Sequence, residues 1–211
     1  MKKVIFIDWN RTLSFDLFWE HLKDTGHRYH HHLEPIEKWL FVDNRSLINQ
    51  WMRGNITVDE IVQRISNGTG ISPDVIMNEL RHSCEIMKFC IVDIEELIGD
   101  IRNKGMLVVI ATDNMDTFTR FTVPALKLND TFDGVLNSHD LKCLKDETDP
   151  KASIPFFDDF LTSHDLTYAD AILLDDSPDS SGKYEKLGFE RILIDGPDTL
   201  QKTLEILAYG E

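Results

Sequence analysis

Basic residues, cysteines and long apolar runs are all scarce in this chain. Lys and Arg number 22 against 37 Asp and Glu, for a formal net charge of −15. A field of that sign repels nucleic acid and anionic lipid, so neither is expected as a general partner. A small anionic ligand must instead be drawn in by a local device: a metal ion, a lysine or a helix N-terminus. The three cysteines, Cys84, Cys90 and Cys143, form no C-x-x-C pair. Their number and spacing argue against a disulfide framework or a structural zinc site and for reduced, buried thiols. The apolar run Val4-Ile5-Phe6-Ile7 follows two lysines but stops at Asp8, far short of an export signal. No stretch approaches membrane-spanning length, and a cytoplasmic location is the expectation. Internal repeats and low-complexity tracts are absent as well.

What remains is an ordinary globular composition, 42% apolar and 28% charged over 211 residues. That length holds one core domain with a sizeable insertion, or two small domains. Val4–Ile7, Met106–Ala111 and Ala171–Leu174 are short apolar runs, the signature of strands buried on both faces of a parallel sheet. Ile192–Ile194 is a weaker fourth. In the C-terminal half these runs alternate with helical spacings over Thr117–Leu128, Ile154–Ser163, Lys183–Leu187 and Pro197–Ala208. The pattern predicts an α/β fold with a Rossmann-like, three-layer parallel-sheet core. Residues 14–90 carry helical periodicity without a comparable buried strand. Candidate helices are Asp16–Lys23, Pro35–Phe41, Arg45–Trp51, Thr57–Ile65 and Pro73–Met87, with Thr57…Glu60 as a capping pair and Pro73 at a first helical position. The expected division is therefore a core of residues 1–13 and 91–211 and a helical cap, 14–90, inserted after the first strand; Val92–Lys104 leads back into the core.

Ligands of open parallel sheets bind at the C-terminal ends of the strands. The first run ends in Asp8-Trp9-Asn10-Arg11-Thr12-Leu13, the second in Thr112-Asp113-Asn114, the third in Asp175-Asp176-Ser177-Pro178-Asp179. Asp8, Asp175 and Asp176 would repel one another if left bare. A hard divalent cation relieves that repulsion, and carboxylates with a backbone carbonyl suit Mg2+. In this order the motifs resemble those of the haloacid dehalogenase-like hydrolase superfamily, whose members are mostly phosphatases, and the resemblance covers nearly the whole chain. It implies Asp8 as the nucleophile that forms an aspartyl-phosphate, Thr12 as the motif threonine, and Thr112, Asp113 and Lys151 on the phosphoryl group. Asp8, Asn10, Asp175 and Asp176 become the Mg2+ ligands, and residues 14–90 the cap that selects a small phosphorylated metabolite. Lys142 and Lys145 compete with Lys151 for the lysine position, and Asp179 is a further acid beside the pair.

The chain departs from the family pattern at Asn10, where the phosphatases carry a second aspartate that protonates the leaving group and activates water. An amide does neither, although its main-chain carbonyl still suits a metal. Three readings follow: a Mg2+-dependent phosphatase, with Asp113 or Asp16 standing in for the missing acid; a phosphate-binding protein with little turnover; and a dehalogenase-type hydrolase. Elsewhere, His27, His30, His31 and His32 lack the regular spacing of a metal-binding helix and are read as a solvated loop or helix start. Trp19, Trp39 and Trp51 are read as the core of the cap, and Arg45 and Arg53 as surface residues.

Overall fold

Val4–Ile7 is fully buried because it lies in the middle of a sheet covered on both sides. The structure, a computed structural model, describes residues 2–150 and 152–210. Five strands, β1 (Val4–Ile7), β2 (Leu107–Thr112), β3 (Gly134–Asn137), β4 (Ala171–Asp175) and β5 (Glu190–Leu193), pair in parallel in the order β3-β2-β1-β4-β5. Ile7 sits beside Ile110 on one side and Leu174 on the other. Asp8, Asp175 and the residues that follow β2 therefore emerge at one edge.

The pleat sorts the apolar runs between two faces. Ile5, Ile7, Val108, Ile110, Ile172 and Leu174 meet the helices Ile94–Asn103 and Pro197–Tyr209. Val4, Phe6, Val109, Ala111, Ala171 and Leu173 meet the helix Pro155–Ser163 together with Tyr184 and Phe189. Phe6 packs edge-on against Phe157, ring centres 4.8 Å apart. The result is the expected three-layer α/β arrangement. β3 has no counterpart in the sequence reading, because its residues Gly134-Val135-Leu136 are only half-buried and form no apolar run. β5 begins two residues before the Ile192–Ile194 run.

Between β1 and the helix Ile94–Asn103 the chain is helical but irregular. The regular segments are Leu33–Glu37, Ser46–Met52, Val58–Thr69 and Pro73–Glu85. The helix read at Asp16–Lys23 shrinks to one tight turn, Glu20–Lys23, because Trp19 takes a left-handed conformation (φ 56°). Its indole is fully buried, and tertiary packing there outweighs helical propensity. Trp19 and Trp51, with Ile61, Ile65, Ile76 and Leu80, form an apolar cluster that Trp39 joins from its edge and that Met115 and Phe121 enter from the core side.

The helix Val58–Thr69 starts as the sequence pattern predicts. Thr57 Oγ1 accepts from the Glu60 N–H at 3.4 Å, and the Glu60 carboxylate accepts from the Thr57 N–H at 2.7 Å. A second cap comes from the core. Buried Asp116 accepts from the Val58 N–H at 3.1 Å and from the Trp51 indole N–H at 2.7 Å, and pairs with Arg120. One carboxylate thus closes a helix N-terminus and anchors the main aromatic of the insertion. Hydrogen bonds to a buried charge contribute about 1.5–3 kcal/mol, against about 1 kcal/mol for an ordinary N-cap. Asp116→Ala is expected to lower stability by about 3 kcal/mol in urea unfolding and Thr57→Ala by about 1 kcal/mol; equal losses would show that Asp116 is no more than a second cap.

Candidate active site

β1 ends in a tight loop that turns back on itself: the Leu13 and Ser14 N–H groups both reach the Trp9 carbonyl, with Arg11 left-handed at φ 59°. This loop fixes Asp8, 6% exposed, at the sheet edge. Across from it, the last residue of β4 is Asp175, also buried. Between them lies Lys145, 7% exposed. Its ammonium stands 2.8 Å from Asp8 Oδ1 and donates to Asp175 Oδ2 at 2.7 Å. Asp175 is held further by the Ser177 N–H and by Arg191 Nη2, both 2.9 Å from Oδ1. Asp176 is half-buried and lies 3.6 Å from Arg11 Nε. Ligand oxygens of Asp8, Asp175 and Asp176 all lie within 4.8 Å of one another.

The charges respond to this crowding. Burial raises the Asp8 carboxyl to about 7; Lys145 pulls it down and Asp175 pushes it up. Asp175 goes the other way: burial opposes its ionisation, but Lys145, the Ser177 N–H and Arg191 together hold it below the usual carboxylate range. Burial would discharge Lys145, yet Asp8, Asp175 and Asp113 outweigh it and keep the ammonium charged. Desolvation raises the Asp113 carboxyl.

Among the described residues, the lysine in contact with Asp8 is Lys145, the residue that motif spacing ranks behind Lys151. Lys151 lies outside the described residues. Lys142 points elsewhere, its ammonium donating to the Gly54 carbonyl at 3.1 Å. The segment carrying Lys145 is secured at several points: its N–H donates to Asp113 Oδ1 at 2.9 Å, its carbonyl accepts from Tyr184 OH at 2.7 Å, and Glu147 pairs with Arg53. Arg53 is therefore an ion-pair partner of this segment, while Arg45 is exposed as expected.

Thr112 ends β2 fully buried, and among the described residues its hydroxyl has no hydrogen-bond partner; the same holds for the Thr12 hydroxyl. Asp179 accepts from the N–H groups of Lys183 and Tyr184, at 3.2 and 3.0 Å, at the start of the helix Lys183–Leu187. Arg191 escaped the sequence reading, because a lone arginine in an edge strand carries no motif.

Two cavities meet at this edge. A polar cleft of about 770 Å³ is walled by Asp8, Asn10, Asp113, Lys145, Asp175 and Asp176, among others. A more apolar one of about 420 Å³, lined by residues such as Trp9, Phe18, Phe41 and Met52, shares Asn10 and Asp113 with it. Asp16 faces the apolar cavity, with Oδ2 accepting from the Lys88 N–H at 2.7 Å.

No protein-family model matches the chain, and no curated protein sequence does. Solved structures do. A HAD-family enzyme from Bacteroides thetaiotaomicron, solved with magnesium and inorganic phosphate, superposes with a TM-score of 0.62 at 16% identity, over 92% of this chain and 94% of that one. A predicted HAD-like hydrolase from Porphyromonas gingivalis gives 0.67 at 14% identity over 98% of both chains. The L-2-haloacid dehalogenase of Xanthobacter autotrophicus gives 0.61 at 11% identity, covering 92% of this chain and 78% of that one. Likeness of this extent along the full chain, with the same parallel sheet, shows that the protein has the haloacid dehalogenase-like fold.

Proposed function

We propose that the chain is a Mg2+-dependent hydrolase of small phosphate monoesters with Asp8 as its nucleophile. The observation that carries this reading is the convergence of Asp8, Asp175 and Asp176, with the Lys145 ammonium between the first two. Hard oxygen donors crowded this closely fit Mg2+, and magnesium and phosphate together in the Bacteroides enzyme support the same pairing here. Asp8, Asp176 and the Asn10 main-chain carbonyl would hold the ion. Asp175, already engaged by Lys145, Arg191 and the Ser177 N–H, stands beside them and keeps Lys145 in place. Bound there, Mg2+ would neutralise charge on the phosphoryl oxygens.

The chain's own groups account for the rest. An Asp8 oxygen attacks phosphorus, the ester P–O bond breaks, and the phosphoryl group passes to the carboxylate. Lys145 is close enough to Asp8 to hold the phosphoryl oxygens during transfer, and the unpartnered Thr112 hydroxyl is a spare donor at the same strand edge. The leaving oxygen needs a proton. Asn10 has none to give, whereas Asp113 lines both cavities and its carboxyl is raised by desolvation, which suits a general acid. Asp16 is less suited, because it lines the apolar cavity and not the polar cleft that holds Asp8. Water then cleaves the aspartyl-phosphate, releasing phosphate and restoring Asp8. The apolar cavity beyond Asn10 favours a leaving alcohol with a small apolar body.

The direct test is phosphate release from a panel of monoesters with and without Mg2+, for wild type and Asp8→Asn. Mg2+-dependent release that falls more than about 1,000-fold in the variant supports the reading. Halide release from 2-haloacids without metal would overturn it in favour of a dehalogenase, and tight phosphate binding without turnover in favour of a binding protein.

Lys145→Met is expected to lower kcat/KM by at least about 100-fold, as loss of a preorganised charge at a reacting group does. It should also destabilise the metal-free protein by about 3–5 kcal/mol, because two buried carboxylates lose their partner, with part of that loss recovered in Mg2+. Lys151→Met is expected to retain activity within about threefold. The reverse ranking in steady-state assays would return the role to Lys151.

Asp113→Asn is expected to slow hydrolysis of alkyl phosphates by about 100-fold and of aryl phosphates much less, since an aryl oxide leaves without a proton. Adding Asn10→Asp to that variant should restore alkyl turnover. If Asp113→Asn leaves alkyl turnover unchanged while Asn10→Asp alone raises it about 10–1,000-fold, the wild type works without an acid.

A further inference from the structure

Within the insertion, side chains distant in sequence meet in a second cluster. His21 lies on the turn Glu20–Lys23, His27 in the loop that follows, and Glu79 on the helix Pro73–Glu85. His21 Nε2 is 2.9 Å and His27 Nε2 3.7 Å from the same oxygen, Glu79 Oε2. The side chains of His21 and Glu79 are each 12% exposed, and that of His27 is 29% exposed. We propose that His21, His27 and Glu79 form a site for a divalent transition-metal ion, Zn2+ foremost, that fastens the 20–32 segment to the helix Pro73–Glu85.

The donor set and its dimensions carry the proposal. Two imidazoles and one carboxylate are ligands that zinc takes at about 2.0–2.2 Å, and a tetrahedron of such bonds has edges of about 3.3–3.5 Å. The distances of 2.9 and 3.7 Å bracket that edge, and all three donor atoms lie within 4.8 Å of one another. Both histidines direct Nε2 at one carboxylate oxygen, and His27, at 3.7 Å, stands too far from it for a hydrogen bond. A shared cation satisfies both. His82, one helical turn beyond Glu79, brings its ring centre to 4.9 Å from that of His21, nearly perpendicular to it. It is placed to supply a fourth ligand from a Glu-x-x-His pair on one helix face, and water is the alternative. Soft-to-borderline nitrogen donors separate this cluster from the all-carboxylate group at Asp8, which suits Mg2+.

The site lay hidden behind a more conspicuous sequence feature. Of the histidine tract, only His27 takes part. His30 Nδ1–H donates to the Leu22 carbonyl at 2.7 Å, and His31 and His32 pack on each other with ring centres 4.0 Å apart. The scarcity of cysteine bears only on thiolate sites.

The test is a Zn2+ titration of the full chain against a chromophoric chelator in millimolar Mg2+, which keeps the carboxylate site occupied. Wild type should bind one equivalent, and Co2+ in its place should give the intense visible bands of tetrahedral coordination. His27→Gln and Glu79→Gln should each weaken binding at least about 100-fold, with far-UV circular dichroism and Mg2+ binding unchanged as the check on folding. His31→Gln/His32→Gln should bind as wild type does. Thermal unfolding should move upward with Zn2+ in wild type and stay fixed in His27→Gln. Absence of tight binding, binding unchanged in Glu79→Gln, or binding lost in His31→Gln/His32→Gln would each overturn the proposal; the last would assign the zinc to the exposed tract.

Discussion

The Lys145 ammonium, held between Asp8 and Asp175, is the contact on which the site depends. Two carboxylates taken out of water at the ends of neighbouring strands repel strongly, and the sheet register leaves them no room to separate. Lys145 answers both at hydrogen-bonding distance, and Arg191 supports Asp175 from behind. The balance is asymmetric. Among the described residues, Asp175 is held ionised by Lys145, Arg191 and the Ser177 N–H, while Asp8 has Lys145 and the Trp9 main chain and a carboxyl raised to about 7. The strand-end acid with the fewer partners is also the one whose position suits attack on a substrate.

The core was legible where burial left a simple trace. β1, β2 and β4 are covered on both faces, so their sequences are continuous apolar runs, and the polar residues that end them gather at one edge, that of the candidate site. β3 and β5 lie at the sheet margins, half-buried or exposed, and leave almost no such trace. The helices between β1 and Ile94 were legible in their periodicity but not in their interruptions, since Trp19 breaks a helix through a backbone twist that its buried ring maintains.

The site itself divides in the same way. Asp8, Asp175 and Asp176 follow strands and could be read by position. The lysine could not: Lys142 and Lys145 lie close together in sequence, and the hydrogen bonds of Lys145 to Asp113 and Tyr184 through its own main chain hold the segment that brings its ammonium to Asp8. His21 and Glu79 are farther still from legibility. They are 58 residues apart and come together through the packing of a turn on a helix, which no local pattern encodes.

The segment that bears Lys145 has attachments at both ends of its span to the helical insertion: Lys142 reaches the Gly54 carbonyl, and Glu147 reaches Arg53. Gly54 admits no side chain, since a Cβ there would lie 2.1 Å from Lys142 Nζ and 2.3 Å from the His139 carbonyl. The junction of Arg53 and Gly54 therefore acts as a linkage rod between the insertion and the segment that carries the Lys145 ammonium. Any displacement of the insertion against the sheet must either break these two fastenings or pull on the lysine between them, so that the placement of the insertion and the electrostatics of Asp8 are geared together rather than set independently.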